Sequence, residues 1–542
     1  MPSICSGSPS HRKSRAVRSE EAIAVWTIPG ALRRAESEFG DSEAIVDGSA
    51  RVTFAELANR AEVAARSLVA SGVAPGDRVA IWAPNGLEWI VASFGIYLAG
   101  AVLVPLNTRF RGAEAGYILR TCGARLLLGT TDCLGTDLLS LLDGVDTGSV
   151  TETVVLSGPP SAGRDSWNGF LGRAAEVDPR TVHDRESALG RGAPSDIIFT
   201  SGTTGSPKGA VLTHDASVRT YLAWSDRVGL RRGDRYLIVY PFFHTAGLKS
   251  GVLACVLLGA TIIPESVFDV GTVMKKVAEE RVTVLPGPPT VFQSILDHPD
   301  FETFDMSGLR LSVTGAAVVP VEIVRAMRND LGIATVVTGY GLTETTGTVS
   351  MCRHDDPPEV VAETVGRPIE GVEVRIVDEN GKRVAAGEQG EIEVRGFNVM
   401  KEYFSDPEAT AAAISSDGWL HTGDVGCVDD SGNIRITDRK KDMFIVGGFN
   451  VYPAEVEKIM QGHPSLSQVA VVGMPDQRLG EVGVGFVVAR SGTRPTEDEV
   501  ISWCRANMAN YKVPREIRFV ESLPLNPSGK VLKFVLRDQV GR

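Results

Sequence analysis

Neither a paired-cysteine motif nor an excess of positive charge occurs in this 542-residue chain. Its seven cysteines, Cys5, Cys122, Cys133, Cys255, Cys352, Cys427 and Cys504, are scattered without CxxC spacing. That speaks against a disulfide framework and a cysteine zinc site, and for a reducing, cytoplasmic setting. With 67 acidic against 55 basic residues the net charge is −12, so nothing in the balance advertises nucleic-acid binding. An acidic chain that takes an anionic substrate must hold it with local groups. Long apolar runs are also lacking. The stretch between Glu88 and Arg109 is broken by Gly100, Pro105 and Asn107. It reads as a buried helix over Ile90–Leu98 followed by a strand over Ala101–Leu106, so no transmembrane helix is expected. His11, Arg12, Lys13, Arg15 and Arg18 crowd the start without an acid, but no apolar signal core follows them. Residues 1–25 are therefore expected to form a disordered tail.

What is present is a rhythm of helix, turn and strand. Thr53 and Glu56 form a capping-box pattern opening an amphipathic helix that ends near Gly72. Strands are expected over Asp77–Trp82, Arg125–Gly129 and Val154–Leu156, which argues for a layered α/β domain. The Gly/Pro/Asp/Arg-rich segment from Ser157 to Pro194 reads as a surface connection. It leads to a short apolar strand, Ile197–Phe199, then a loop of hydroxyls and glycines from Thr200 to Gly205. Pro207, Lys208 and Gly209 close the loop, and a second strand, Ala210–Leu212, follows. Glycines admit a ligand close to the backbone, hydroxyls and N–H groups donate, and Lys208 adds charge, so the loop suits phosphate oxygens. It is not a Walker loop, because Lys208 lies between proline and glycine instead of opening a helix. Residue types alone leave an anion nest and a flexible hairpin both open.

Further along, strands are expected over Arg235–Tyr240, Val282–Leu285, Leu311–Thr314 and Ala334–Thr338, with a buried helix running through Leu258. The last strand runs into the turn Gly339–Glu344, GYGLTE. Strand-then-turn repeats of this kind gather ligands at strand ends in open α/β sheets. Beyond Val365 the texture becomes β-rich, with strands over Val372–Val377 and Glu391–Val394 and the motifs WLHTGD at Trp419–Asp424 and TDRKKD at Thr437–Asp442. After it Pro453 opens a helix, and Thr496 with Glu499 caps another. The expected architecture is a large α/β N-terminal domain over 26–438, with layered α/β subdomains and a β-rich subdomain, followed by a small mobile α+β domain over 439–542.

The ordered series SGTTGSPKG, PFFH, GYGLTE, HTGD, DRKKD, GGFNVYPAEVE and NPSGK resembles the adenylate-forming superfamily of acyl-CoA synthetases, luciferases and peptide-synthetase adenylation domains. It spans the chain from about Trp26 to about Leu536. Within the superfamily the chain is most similar to actinobacterial fatty-acyl-CoA ligases. LPGPPTVFQSILDHP and MPDQRLGEVG resemble in particular the ligase for the bicyclic indanedione propionate left by steroid ring degradation. The resemblance implies two half-reactions: a carboxylate attacks the α-phosphate of ATP to give acyl-AMP and pyrophosphate, and the thiol of coenzyme A then displaces AMP. It implies that Thr200, Ser201, Gly202, Thr203, Thr204, Gly205 and Lys208 cradle the phosphates, and that Thr343 and Glu344 meet phosphate and Mg2+. Tyr340 would stack on adenine beside Gly315, Ala316 and Ala317, within the turn that holds Gly339 and Gly341. Asp424 and Arg439 would take the ribose, Lys530 would stabilise the adenylation transition state, and Lys441 would be the hinge. Gly447 and Gly448 would line the pantetheine path, and His244 would gate the acyl pocket.

The expected activity is thus an ATP-dependent ligase for a hydrophobic carboxylic acid, with ATP, Mg2+ and coenzyme A as its small-molecule partners. The alternatives are an adenylating enzyme that loads a carrier protein, a luciferase-like oxygenase and a nucleotide-binding protein without turnover. No carrier-type serine motif is found, which favours coenzyme A as acceptor. Lys249 is expected either to meet a keto group of a functionalised acid or to sit near solvent at a helix start. Oligomeric state is left open, a homodimer included.

Overall fold

In the computed structural model the described residues are 26–200, 206–315, 319–439, 443–490, 492–524 and 531–540. The tail expected over residues 1–25 lies outside them. The first large helix, Phe54–Ala70, starts where the sequence signals it. Thr53 Oγ1 accepts from the Glu56 amide (3.2 Å) while the Glu56 carboxylate accepts from the Thr53 amide (2.9 Å). Its apolar face, with Phe54, Leu57, Ala58, Ala61, Ala65 and Leu68 buried, packs against the helix Leu87–Leu98. That second helix is apolar on all sides, with only Glu88 of its twelve residues outside the buried class. It is a core helix: no helix among the described residues is long and apolar enough to cross a membrane.

These helices cover an eight-stranded sheet whose order is Glu402–Tyr403, Lys208–Thr213, Pro194–Thr200, Val102–Pro105, Arg78–Trp82, Ala124–Thr130, Glu152–Ser157 and Asp165–Ser166. Its central strands run parallel, and the hairpin Pro194–Thr200/Lys208–Thr213 closes one side antiparallel, with Thr200 opposite Lys208. A second layer pairs Arg235–Ile238 with Thr261–Pro264, and Leu311–Thr314 with Thr335–Tyr340. Antiparallel strands Val372–Val377, Gly390–Gly396, Leu420–Val428 and Ile434–Arg439 make the β-rich part. From Phe444 onward a separate sheet, built on the long pair Leu466–Asp476/Gly480–Ala489, carries its own apolar core around Val456, Val471, Val487 and Val500.

Three expectations are corrected. The segment Ser157–Pro194 is not a bare connection: it contains helices Trp167–Gly172 and Pro179–Ala188, capped by Ser166 and Asp178. Only Trp167, Phe170, Ala174 and Val182 are fully buried along it, too few for a visible apolar period. Val282–Leu285 is not a full strand; Val284 alone bridges Tyr236 and Leu311, and Pro286 follows at once. The buried helix after Pro241 begins as a π-helix, Ala246–Leu253, before continuing as α-helix Ala254–Leu258.

The π-helix holds Lys249, and neither expectation for that residue survives. Its side chain is 1 % exposed, and Nζ lies 2.5 Å from Asp196 Oδ2 on the strand Pro194–Thr200. Tyr97 Oη donates to Asp196 Oδ1 (2.5 Å) and Ser195 Oγ to Oδ2 (2.5 Å). The ammonium is therefore engaged inside the core, away from solvent. Burial lowers its pKa while Asp196 opposes the shift. Next to Tyr97, His214 is pushed down to about 3 by burial, which fits the neutral ring that accepts the Ile28 amide hydrogen at Nδ1 (3.2 Å). Removing one partner of such a pair strands the other charge in the interior. Lys249→Met is expected to lower stability by about 3–5 kcal/mol, read from the unfolding transition of the large domain. Lys249→Met combined with Asp196→Asn is expected to lose less, because an uncharged amide still accepts from Tyr97. A double variant as unstable as the single one would show that charge is not the cause.

Candidate active site

The site begins where the strand Pro194–Thr200 ends. Thr200 Oγ1 points to Glu344 Oε1 at 3.3 Å and to the Lys208 carbonyl at 3.5 Å. Glu344 sits on a 3-10 turn, Thr343–Thr345, held by a hydrogen bond from the Leu342 amide to Thr345 Oγ1 (2.9 Å). The turn folds tightly back: a Cβ on Gly341 would lie 2.2 Å from the Gly347 carbonyl oxygen, so only glycine fits. Tyr403 Oη donates to the same Glu344 Oε1 at 2.7 Å, and the Lys208 ammonium lies 5.3 Å from the Tyr403 ring centroid. Burial first, then the Glu344 carboxylate, raises the Tyr403 pKa far above the ordinary range, so its phenol stays protonated and donates. Thr200, Lys208, Glu344 and Tyr403 thus form one cluster although 203 positions separate the first from the last. Tyr403 was not among the expected residues. It reaches the cluster because the two-residue strand Glu402–Tyr403 pairs with Ala210 and Val211. That register leaves no periodic signal.

A second cluster lies at the other end of the same turn. Tyr340 closes the strand Thr335–Tyr340, rather than starting the turn, and its hydroxyl donates to Asp424 Oδ2 at 2.6 Å. Asp424 is 6 % exposed, and its backbone partner across the sheet is Arg439. Gly339 lies beneath Met351, whose Sδ leaves no room for a side chain. Gly315, at the end of Leu311–Thr314, comes near Thr338 Oγ1, next to Gly339. Phosphate-type and ribose-type groups are therefore brought to the two ends of one short turn, Tyr340–Glu344. His244 is exposed, and desolvation by the surrounding protein lowers its pKa below the ordinary value. It is expected to be neutral at neutral pH.

Gly447 and Gly448, with φ of +55° and +85°, make the turn between Phe444–Val446 and Phe449–Val451. Ser201, Gly202, Thr203, Thr204, Gly205, Ala316, Ala317, Lys441 and Lys530 lie outside the described residues.

The sequence matches the AMP-binding enzyme family over residues 32–404 and the AMP-binding enzyme C-terminal domain over residues 455–530. The chain belongs to the AMP-binding enzyme family. Within it the chain is an acyl-CoA ligase of the AMP-forming kind. It is 48% identical over 520 residues to a 3-(7a-methyl-1,5-dioxo-octahydro-1H-inden-4-yl)propanoyl:CoA ligase of Rhodococcus jostii, covering 95% of this chain and 98% of that protein. The ligase of the same description from Mycobacterium tuberculosis is 47% identical, covering 94% and 98%. Among solved structures, an o-succinylbenzoate CoA synthetase from Bacillus subtilis bound with a product analogue matches with a TM-score of 0.78 at 27% identity, covering 94% of this chain and 98% of that one.

AMP-binding acyl-CoA ligases use ATP and coenzyme A. Whether a metal also fits is decided by the donors. Among the described residues no group of three or more His, Cys, Asp or Glu side chains could hold an ion by itself. Magnesium needs no such cage: it is commonly held by one or two carboxylates together with substrate phosphates and water. Glu344 suits that role, since both of its described side-chain hydrogen bonds fall on Oε1.

Proposed function

We propose that this AMP-binding enzyme converts a bulky hydrophobic carboxylic acid, of the bicyclic steroid-derived propanoate class, into its CoA thioester through acyl-AMP. The convergence of Thr200 and Tyr403 on Glu344, with Lys208 over the Tyr403 ring and one turn away from the Tyr340–Asp424 pair, carries the adenylation part of this reading. The near-full-length similarity to two ligases for such an acid supports the choice of substrate. In adenylation, charge grows on the α-phosphate and on the departing pyrophosphate, so the protein needs fixed donors and cations more than a strong base. Thr200, Lys208 and the loop residues Ser201–Gly205 serve as donors to the β- and γ-phosphates. Thr343 adds a hydroxyl, and Glu344 would hold Mg2+, which supplies neutralisation of phosphate charge. Tyr340 packs on adenine beside Gly315, Ala316 and Ala317, while Asp424 and Arg439 hold the ribose hydroxyls. The Tyr340 hydroxyl restrains Asp424 in the orientation that faces the sugar. His244, with its pKa lowered by desolvation, stands at the carboxylate end of the acid pocket, where an uncharged ring leaves the acid free to enter. In the second half-reaction the bare backbone at Gly447 and Gly448 leaves width for a pantetheine arm. The free cysteines found among the described residues suit a cytoplasmic enzyme.

Thioester formation measured with the bicyclic dioxo-indane propanoate against saturated fatty acids of short, medium and long chain tests the reading. The bicyclic acid is expected to give the highest kcat/KM by at least about tenfold, worth about 1.4 kcal/mol of transition-state binding. A preference for a linear fatty acid would refute the substrate class and leave the reaction intact. AMP release that needs a carrier protein and not coenzyme A would refute the acceptor.

A further inference from the structure

One contact between the large domain and the C-terminal sheet is built from charges that neither ATP nor acid binding uses. Lys512 is 1 % exposed, and its Nζ lies 2.7 Å from Glu455 Oε1 on its own side and 2.7 Å from Glu114 Oε1 across the interface. The ammonium also lies 4.8 Å from the Phe110 ring centroid. Around this pair the surfaces interlock. Tyr511 stacks on Phe449 with ring centroids 4.7 Å apart, the Arg109 guanidinium lies 4.8 Å from the Phe449 ring centroid, and Asn107 Nδ2 donates to Tyr511 Oη at 3.4 Å. Phe449 directly follows the glycine turn at Gly447–Gly448. Three residues beyond it, Tyr452 lies close enough to Tyr403 to influence that phenol electrostatically. The contact of Phe449 with Arg109 holds the glycine hairpin, from Phe444 to Val451, against the large domain. Glu114 sits on the helix Gly112–Cys122, and one turn further along that helix Tyr117 Oη donates to the Pro207 carbonyl at the end of the phosphate-type loop (3.2 Å).

We propose that Glu114 and Lys512 form a clasp that holds the C-terminal domain with its glycine hairpin at the active site, making Glu114 a positioning residue for thioester formation and not for adenylation. The proposal rests on the two-step reading above. Lys512 and Glu455 belong to the same domain and move together, so of the two ion pairs of Lys512 a rotation of that domain breaks only the one to Glu114. The contact therefore stabilises one domain arrangement selectively, and a contact of that kind shifts the population toward the arrangement that has it. A buried lysine between two carboxylates is stable while all three are together. Without Glu114 the remaining pair is still neutral, so the domain keeps its own ion pair when it turns away. The helix that carries Glu114 also touches the phosphate loop, so one rigid element sees both the nucleotide end of the site and the docked domain.

Glu114→Gln separates this role from a structural one, because the capping bond from the Arg111 amide to Glu114 Oε2 (2.8 Å) is one that glutamine can also accept. CoA-dependent thioester formation from supplied acyl-AMP is expected to slow by about tenfold or more, as for loss of one charge of a buried pair. Acid-dependent exchange of pyrophosphate into ATP is expected to stay within about twofold of wild type. Lys512→Gln, made from the other side of the interface, is expected to show the same split. Both half-reactions falling in parallel would make Glu114 merely structural, and both unchanged would make the contact idle; either overturns the clasp. Wild-type protein that exchanges no pyrophosphate with any acid would instead remove the adenylation reading, and the clasp with it.

Discussion

Glu344→Gln is expected to lower acid-dependent pyrophosphate exchange by about 10²–10³-fold, the range seen when one preorganised electrostatic group at a transition state is lost. The substitution is nearly isosteric. Its amide oxygen still accepts from Thr200 and Tyr403, so the local geometry is kept while one negative charge goes. If Glu344 served only to fix the loop end at Thr200, the loss would be small. If it holds Mg2+ against the phosphates, the charge is what matters, and the requirement for Mg2+ should rise together with the fall in kcat. Tyr403→Phe provides the opposite control: the charge stays and one donor goes, so a loss nearer tenfold is expected, in line with a hydrogen bond to a charged group. Exchange by Glu344→Gln within a few-fold of wild type, at unchanged Mg2+ dependence, would remove Glu344 from the reacting site.

That pair of variants also marks the boundary between what the sequence discloses and what it withholds. Glu344 is legible because GYGLTE follows a buried strand, and motif order gives a lone glutamate a role. Tyr403 is not legible, because its strand is two residues long and its partner strand lies almost two hundred positions earlier. Local signals survive well: both capping boxes, Thr53 with Glu56 and Thr496 with Glu499, form as the spacing predicts. So does the hairpin around Thr200 and Lys208. What fails is chemistry that depends on long-range pairing. Lys249 reads as a pocket or surface lysine until Asp196, 53 positions away, is found against it. The helices between Ser157 and Pro194 are too short and too sparsely apolar to show a period, and their caps are the only local trace. Lys512 reads as one more solvated cation near the C-terminus. Only the packing of two domains shows it to be buried between Glu114 and Glu455.

Lys530→Ala is expected to give the mirror image of Glu114→Gln. If the lysine in Asn-Pro-Ser-Gly-Lys takes the role its motif implies, stabilising charge on the α-phosphate during adenylation, its loss should reduce pyrophosphate exchange by about 10²–10³-fold. Thioester formation from supplied acyl-AMP should remain, because that step starts after the pyrophosphate has left and, on the proposed reading, is served by the backbone at Gly447 and Gly448 instead. In the arrangement described, the hairpin bearing Gly447 and Gly448 is held against the large domain through the contact of Phe449 with Arg109. A domain that takes a different position in each half-reaction has to be held in each by contacts the other position lacks. The two variants therefore test one idea from two sides: Lys530→Ala removes a group that acts in the first step, and Glu114→Gln removes a contact that favours the second. Acyl-AMP consumption by Lys530→Ala as slow as its exchange would mean that the lysine acts in both steps, and the division of labour between Lys530 and the glycine hairpin would fail. Exchange lost with thioester formation kept, beside the reverse in Glu114→Gln, would assign the two half-reactions to different residues, one in the C-terminal domain and one on the helix Gly112–Cys122 of the large domain.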